Sequence, residues 1–291
     1  MKITAFIFLA ILLLSGCQKE EVLPVILPQP SFLQTTMIKG ITDYTMEFEG
    51  AIWKYSLDVP LNYNSRKSYP LVFILKGKRG TSARLITDFH NLINTRQYIA
   101  VYPESYDAAG WNLGTDPANP LGDVRFIQAL TAELTASGHI KTNKIYGMGI
   151  SNGGCMVHYL ALRTNIFAAV APVAGSMYEG ISTSGAGPVS VMQVHGLQDL
   201  SVPYNGGFAH DFTFYSAPGS ISFWALQNGC DAAPVISSSI PGALVHQYNG
   251  CDNGLETILF SVPTSGHDVL SSFSTIDLKS YIFDFFKRHQ K

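Results

Sequence analysis

The chain has 291 residues, of which 46% are hydrophobic and 14% charged, a length for one large domain or two small ones. That is apolar enough for a sizeable core and too sparsely charged for a disordered chain. The formal net charge of -2 supplies no field that would draw the molecule to nucleic acid, so no such partner is expected.

Met1 and Lys2 open an N-terminal segment that does not belong to the fold. An apolar run from Ile3 to Leu14 follows, then Leu14-Ser15-Gly16-Cys17. A positive start, a short apolar stretch and small residues make a secretory signal, and the run is short of the roughly 20 residues a membrane span needs. The four residues ending at Cys17 resemble a bacterial lipobox, whose cysteine is lipidated and begins the mature protein. Residues 1–16 are therefore expected to be a lipoprotein signal peptide, 17–40 a lipidated tether containing Pro24, Pro28 and Pro30, and 41–291 the globular domain. Each buried acyl CH₂ contributes about 0.8 kcal/mol, so several chains hold the protein on a membrane by lipid alone. Gln18 in place of aspartate argues against retention at the inner membrane, and Glu20 and Glu21 resemble a surface-export tag. The expected location is the outer membrane of a bacterium, with the periplasmic or the outer surface left open.

Within the domain, "YTMEFEG" and "IWKYSLDVP" alternate polar and apolar residues, as a hairpin with one exposed face does. "PLVFILK" and "YIAVYP" are near-continuous apolar runs, the pattern of strands covered on both faces. "DVRFIQALTAELTAS" carries Val124, Ile127, Leu130 and Leu134 at helical spacing. "KIYGMGI" reads as a strand and "NGGCMVHYLALR" as a helix; "FAAVAPVAG", "GPVSVMQVHG" and "LETILFSVP" read as three further strands. "SSFSTIDLKSYIFDFFKRH" is expected to form one closing helix with a cationic C-terminal end. An antiparallel start followed by alternating strands and helices predicts an α/β fold, a mostly parallel sheet with helices on both faces. Ligand sites in such sheets lie beyond the C-terminal ends of the strands.

Chemistry concentrates at those ends. Gly149-Ile150-Ser151-Asn152-Gly153 is a G-x-S-x-G pattern between a strand and a helix, the context of a nucleophile elbow. The glycines permit a tight turn, and the helix N-terminus favours negative charge developing at the serine. A serine nucleophile needs a base and a group that orients the base. In this strand–helix context the order along the chain is serine, acid, histidine. Asp199 follows the strand ending near His195, and His267 follows the last strand, so Ser151, Asp199 and His267 fit. His195 precedes the acid and reads as a supporting or packing residue. Asp268 adjoins His267 and is badly placed to orient its ring, and Asp211 is a weaker acid candidate. No histidine, cysteine and carboxylate cluster has zinc spacing, so no metal is expected. Cys155 sits in an apolar helical pattern, as a buried free thiol does. Cys230 and Cys251 lie in "QNGCD" and "YNGCD"; a bridge between them would close a loop of about twenty residues, a stabilisation of roughly 3 kcal/mol in the chain-entropy model.

"YGMGISNGGCMVHYLA", "VSVMQVHGLQDLSVPYNGG", "FWALQNGC" and "SGHDV", with "PLVFILKG", "YIAVYPES" and "GWN" upstream, together resemble the secreted esterases that include polyhydroxybutyrate depolymerases and feruloyl or acetyl-xylan esterases. The similarity runs from about Leu57 to His267. It implies an α/β-hydrolase fold, a triad of Ser151, Asp199 and His267, no cofactor, and pairing of Cys230 with Cys251. The implied activity is hydrolysis of carboxylic esters in an external polymer, with feruloyl or acetyl esters of plant polysaccharide favoured over polyhydroxybutyrate. A retired hydrolase that only binds glycan or polyester at the cell surface is the alternative from a different class.

The sequence departs from this family in two loops. Lys76 replaces the histidine that usually follows the third strand, and Lys78 and Arg79 replace small residues; Asp268 and Val269 follow His267 where the family often has Trp-Pro. "LKGKRG" lacks the approach and the Lys-Ser/Thr ending of a P-loop. Its place opposite the elbow makes it the expected second wall of an oxyanion hole, with N–H groups of Asn152 and Lys78 as donors and Gly77 as the alternative to Lys78. The charged side chains are either solvated or select an anionic substrate. Trp111, Asn112, Tyr178, Tyr204 and Phe208 lie in loops expected near the site. Trp111, Asn112 and Tyr204 are the candidates for substrate contact.

Overall fold

The computed structural model describes residues 37–181, 183 and 186–291; the signal segment, Cys17 and most of the expected tether lie outside them. Strands β1 (Gly40–Phe48) and β2 (Ala51–Val59) form the antiparallel hairpin. Glu49 and Gly50 turn it at φ 50° and 74°, a geometry that suits the twist of paired strands. Then follow β3 (Tyr69–Leu75), α1 (Ser82–Arg96), β4 (Ile99–Pro103), α2 (Gly122–Ala136), β5 (Ile140–Ile150), α3 (Asn152–Arg163), β6 (Ala169–Val173) and β7 (Ser190–Gly196). A small hairpin of β8 (Gly207–Ala209) and β9 (Phe212–Phe214) precedes α4 (Ala217–Gln227), and β10 (Val235–Ser237), β11 (Leu244–Tyr248), β12 (Thr257–Val262), α5 (Val269–Ser272) and α6 (Leu278–Arg288) complete the chain.

Ten strands make one sheet in the order β1-β2-β4-β3-β5-β6-β7-β12-β11-β10. The run from β4 to β12 is parallel, and antiparallel strands extend both edges. This is the α/β-hydrolase architecture, with helices on both faces. Alternation within the apolar runs produces the two faces: Leu71, Phe73 and Leu75 of β3 join one core with α2, α3 and α4, while Val72 and Ile74 join the other with α1 and α6. A strand buried on both sides has no polar face to show in its sequence.

The closing helix is two helices rather than one. Phe273 leaves helical geometry at φ -84° and ψ 115°, and Asp277 starts α6 by accepting from the Lys279 N–H at 3.1 Å and the Ser280 hydroxyl at 2.7 Å. Ser274 and Thr275 between them favour turns and caps over a helix interior. The cationic end lies where expected, with Lys287 and Arg288 in the last turn of α6.

Register brings the loops of the site to one edge. Leu75 lies beside Gly149, and Gly196 beside Val262, so β3, β5, β7 and β12 release the 76–80, Ser151, Asp199 and His267 segments on the same side.

Candidate active site

Ser151 occupies a sharp elbow between β5 and α3, at φ 59° and ψ -122°. A non-glycine residue there carries strain on the order of 1–3 kcal/mol, sustained by the packing around it. The flanking glycines are a steric requirement. A Cβ on Gly149 would lie 2.2 Å from the Gly153 carbonyl oxygen, and one on Gly153 would lie 2.4 Å from that of Leu75.

The three residues expected to act together meet in space. The Ser151 hydroxyl lies 2.8 Å from His267 Nε2, and His267 Nδ1 lies 2.8 Å from Asp199 Oδ2. With Nδ1–H donating to the carboxylate, Nε2 is left as the acceptor for the serine proton. The Asp199 side chain is fully buried, whereas that of His267 is 33% exposed. Burial alone would raise the Asp199 carboxyl; hydrogen bonds from His195 and His267 and from the Val202 N–H outweigh it and hold the group well below the usual carboxylate range. Asp199 therefore stays ionised beside His267. Backbone hydrogen bonds from Leu197 to Val262 and from Gln198 to Ser265, both 3.0 Å, clip the acid loop to the histidine loop.

The 76–80 loop packs directly against the elbow. A Cβ on Gly77 would come within 3.3 Å of Ser151 Cβ. The loop turns through a hydrogen bond from the Gly80 N–H to the Gly77 carbonyl at 3.0 Å, with Arg79 at φ 57°. The Asn152 N–H lies in the first turn of α3, where helix geometry offers no acceptor. The Asn152 side chain accepts from the Trp111 N–H at 2.7 Å, so its carbonyl ties the 107–121 loop to the elbow.

The three cations separate into two groups. Lys76 is 2% exposed; its ammonium bonds Ser105 Oγ at 3.0 Å, approaches Glu104 at 3.7 Å and lies 6.0 Å from the Trp111 ring centre. It braces loops beneath the site and is unavailable to substrate. Lys78 and Arg79 are exposed and line a cleft of about 590 Å³ that opens over Ser151. Asp107, His210 and Asp211 share that lining, and Trp111, Leu113, Val202, Phe212 and Phe214 supply apolar surface.

Two of the candidates for substrate contact lie outside the lining of this cleft. Asn112 does not line the cleft: its Oδ1 accepts from the N–H groups of Gly114, Thr115 and Asp116 at 3.0 to 3.2 Å, and its Nδ2 donates to Asn119. Tyr204 is also outside the lining; its hydroxyl pairs with Ser261 at 2.9 Å and its ring meets the edge of His195. Trp111 does line the cleft, but its indole N–H is committed to the Lys76 carbonyl at 2.8 Å. Tyr178 is buried and donates to the Leu113 carbonyl, while Phe208 is 75% exposed. The aromatic wall comes instead from Phe212 and Phe214 in β9. The alternation in "DFTF" marks this strand, whose three-residue length hides it.

Among the relatives, a probable feruloyl esterase C of Aspergillus clavatus is 25% identical over 253 residues, covering 82% of this chain and 86% of that protein. Feruloyl esterase B of Piromyces equi is 30% identical over 167 residues; the match covers 54% of this chain and spans 31% of that longer protein. A model of the prolyl oligopeptidase family matches residues 114–179, which include the elbow. The solved acetyl xylan esterase from Aspergillus awamori superposes with a TM-score of 0.61 at 16% identity, over 81% of this chain and 94% of that one. Fold and relatives together define the class: the chain is a serine hydrolase of the α/β-hydrolase fold. Within that class it is a serine carboxylic ester hydrolase, similar to these esterases.

Proposed function

We propose that this esterase removes feruloyl or acetyl groups from plant polysaccharide outside the cell, as an exported lipoprotein held through Cys17 at the outer membrane. The observation that carries the catalytic part is the unbroken line from Ser151 through His267 to Asp199, at 2.8 Å and 2.8 Å, under an open cleft. His267 Nε2 takes the hydroxyl proton as Ser151 Oγ attacks the ester carbonyl. The tetrahedral oxyanion is held by the N–H groups of Asn152 and Lys78, with Gly77 as the alternative second donor; one such donor is worth about 3 kcal/mol. The imidazolium returns its proton to the departing alkoxide, leaving the acyl group on Ser151. Water repeats the sequence, giving its proton to His267 and releasing the carboxylic acid and free serine. Asp199 stays ionised throughout and offsets the imidazolium charge.

The choice of ester rests on the names of the relatives and on the cleft. Phe212, Phe214, Leu113 and Val202 form an apolar wall suited to an aromatic acyl group, and the charged rim suits a hydrated sugar. The deciding experiment compares methyl ferulate, acetylated xylan and hydroxybutyrate oligomers side by side, with Ser151→Ala as the control. Preference for the first two is expected, with no turnover by the variant. Preference for hydroxybutyrate would reassign the substrate. Ligand binding with neither turnover nor fluorophosphonate labelling of Ser151 would make the protein a binding module. For the anchor, Cys17→Ser is expected to move the protein from the membrane fraction to the soluble fraction; an unchanged distribution would remove the lipid tether.

A further inference from the structure

A buried run of polar side chains leads from Asp199 into the core. His195, Gln193 and His158 are each 0% exposed. His195 Nε2 faces two acceptors, the Val202 carbonyl at 2.9 Å and Asp199 Oδ2 at 3.4 Å, so the proton of this ring sits on Nε2. Its Nδ1 then accepts from the Gln193 amide nitrogen at 3.1 Å, and that nitrogen also lies 3.3 Å from Ser176 Oγ. Deeper still, the Trp224 indole N–H donates to His158 Nδ1 at 3.0 Å, which places the His158 proton on Nε2. His158 Nε2 and Gln193 Oε1 are a buried donor and a buried acceptor, each without another hydrogen-bond partner, and Gln193 is the side chain that faces His158.

We infer that His195 is a positioning residue for the hydrolysis, fixing the Asp199 carboxylate so that Oδ2 stays on His267. It does so through both ends of one short loop. Asp199 Oδ1 is held by the Ser201 and Val202 N–H groups at 2.8 and 3.0 Å, and His195 pins Val202 by its carbonyl while approaching Oδ2 itself. Gln193 sets the ring's tautomer, and Trp224 and His158 set Gln193. The inference rests on the proposed roles of Ser151, His267 and Asp199. A chain of neutral donors ending on a carboxylate orients it without adding a second charge. The titratable groups facing the His195 ring are Asp199, Tyr204 and His158, with Cys155 close to Asp199.

The test is steady-state kinetics of His195→Phe and His195→Gln on p-nitrophenyl acetate, with a pH profile of kcat/KM. Phenylalanine keeps the ring against Tyr204 and removes both nitrogens. We expect kcat to fall by roughly tenfold with KM nearly unchanged, the pattern of a lost transition-state contribution. With fewer donors on Asp199, its charge acts more fully on His267, so the acid limb of the profile should rise by about half a unit or more. Glutamine places an N–H near the Nε2 position and should recover most of kcat. An acid limb that stays in place, with equal losses in both variants, would reduce His195 to packing and overturn the inference. Gln193→Met, which disturbs the ring's tautomer from a distance, is the second variant should His195→Phe not fold. It should shift the limb in the same direction, and unchanged kinetics would overturn the inference as well. Fluorophosphonate labelling of the wild type separates this outcome from failure of the Ser151 assignment, since only the latter abolishes labelling.

Discussion

Lys76 follows β3 with its ammonium turned under the loop of Trp111, against Ser105 and Glu104. Its sequence neighbours Lys78 and Arg79 face the cleft instead. Lys76→Met keeps the aliphatic stem and removes the charge. Glu104 is 36% exposed, so water meets part of the loss, and the expected destabilisation is about 1 kcal/mol by urea unfolding. A stability unchanged within error would show that the buried ammonium contributes nothing. Arg79 holds a left-handed conformation at φ 57°, which costs a side-chain-bearing residue roughly 1 kcal/mol relative to glycine. Arg79→Gly should recover part of that, offset by the greater freedom of the unfolded chain. The same variant assayed on neutral and carboxylated esters shows whether this cation selects an anionic substrate: a loss confined to the carboxylated ester supports selection.

At the scale of elements, the β5–α3 elbow tolerates no added carbon. Gly149→Ala places a Cβ where the Gly153 carbonyl lies 2.2 Å away, so the backbone must shift. Activity should drop at least a hundredfold even where folded protein is recovered, because displacements of an ångström at a reacting centre cost that much. The Cys230–Cys251 disulfide joins the segment after α4 to the segment after β11 across a separation of 21 residues. Replacing both by serine should cost about 3 kcal/mol, read as a lower thermal midpoint that no longer responds to reductant. The elements also show what a single sequence conceals. The elbow was legible because glycine, serine and glycine at fixed spacing have one steric explanation between a strand and a helix. Asp199 and His267 were legible because each follows a long apolar run. Helix α1 is hard to read although Leu85, Phe89 and Ile93 share one buried face, because Ile86 and Leu92 blur that stripe and no side chain caps the helix. Asn112 and Tyr204 lay in the right loops, but hydrogen bonds to Asp116, Asn119 and Ser261 aim them away from the cleft. Such partners are set by tertiary approach and leave no local pattern.

Across the whole molecule, the parallel strands bring four loops to one edge, and two cores on opposite faces hold that edge rigid. Against Trp224 of one core lies His158, whose pKa burial pushes down to about 3. An unfolded histidine titrates near 6.5. Its folded-state pKa is depressed, so the unfolded chain binds the extra proton first as pH falls. Stability should therefore be flat above about pH 7 and decline through pH 6, with a limiting slope of about 1.4 kcal/mol per unit for this one group. Burial lowers His246 too, which adds to the decline in the same direction. Urea midpoints from pH 8 to pH 5.5 check it, and a midpoint that rises on acidification would contradict the sign.

In the proposed reaction Ser151 carries the acyl group. Acid quenching within milliseconds of mixing with p-nitrophenyl acetate, followed by peptide mass spectrometry, tests it directly. The expected result is one acetyl group, on the peptide containing Ser151, absent in Ser151→Ala and strongly reduced in His267→Ala. Turnover with no acetyl group on Ser151, or undiminished turnover by Ser151→Ala, would contradict it.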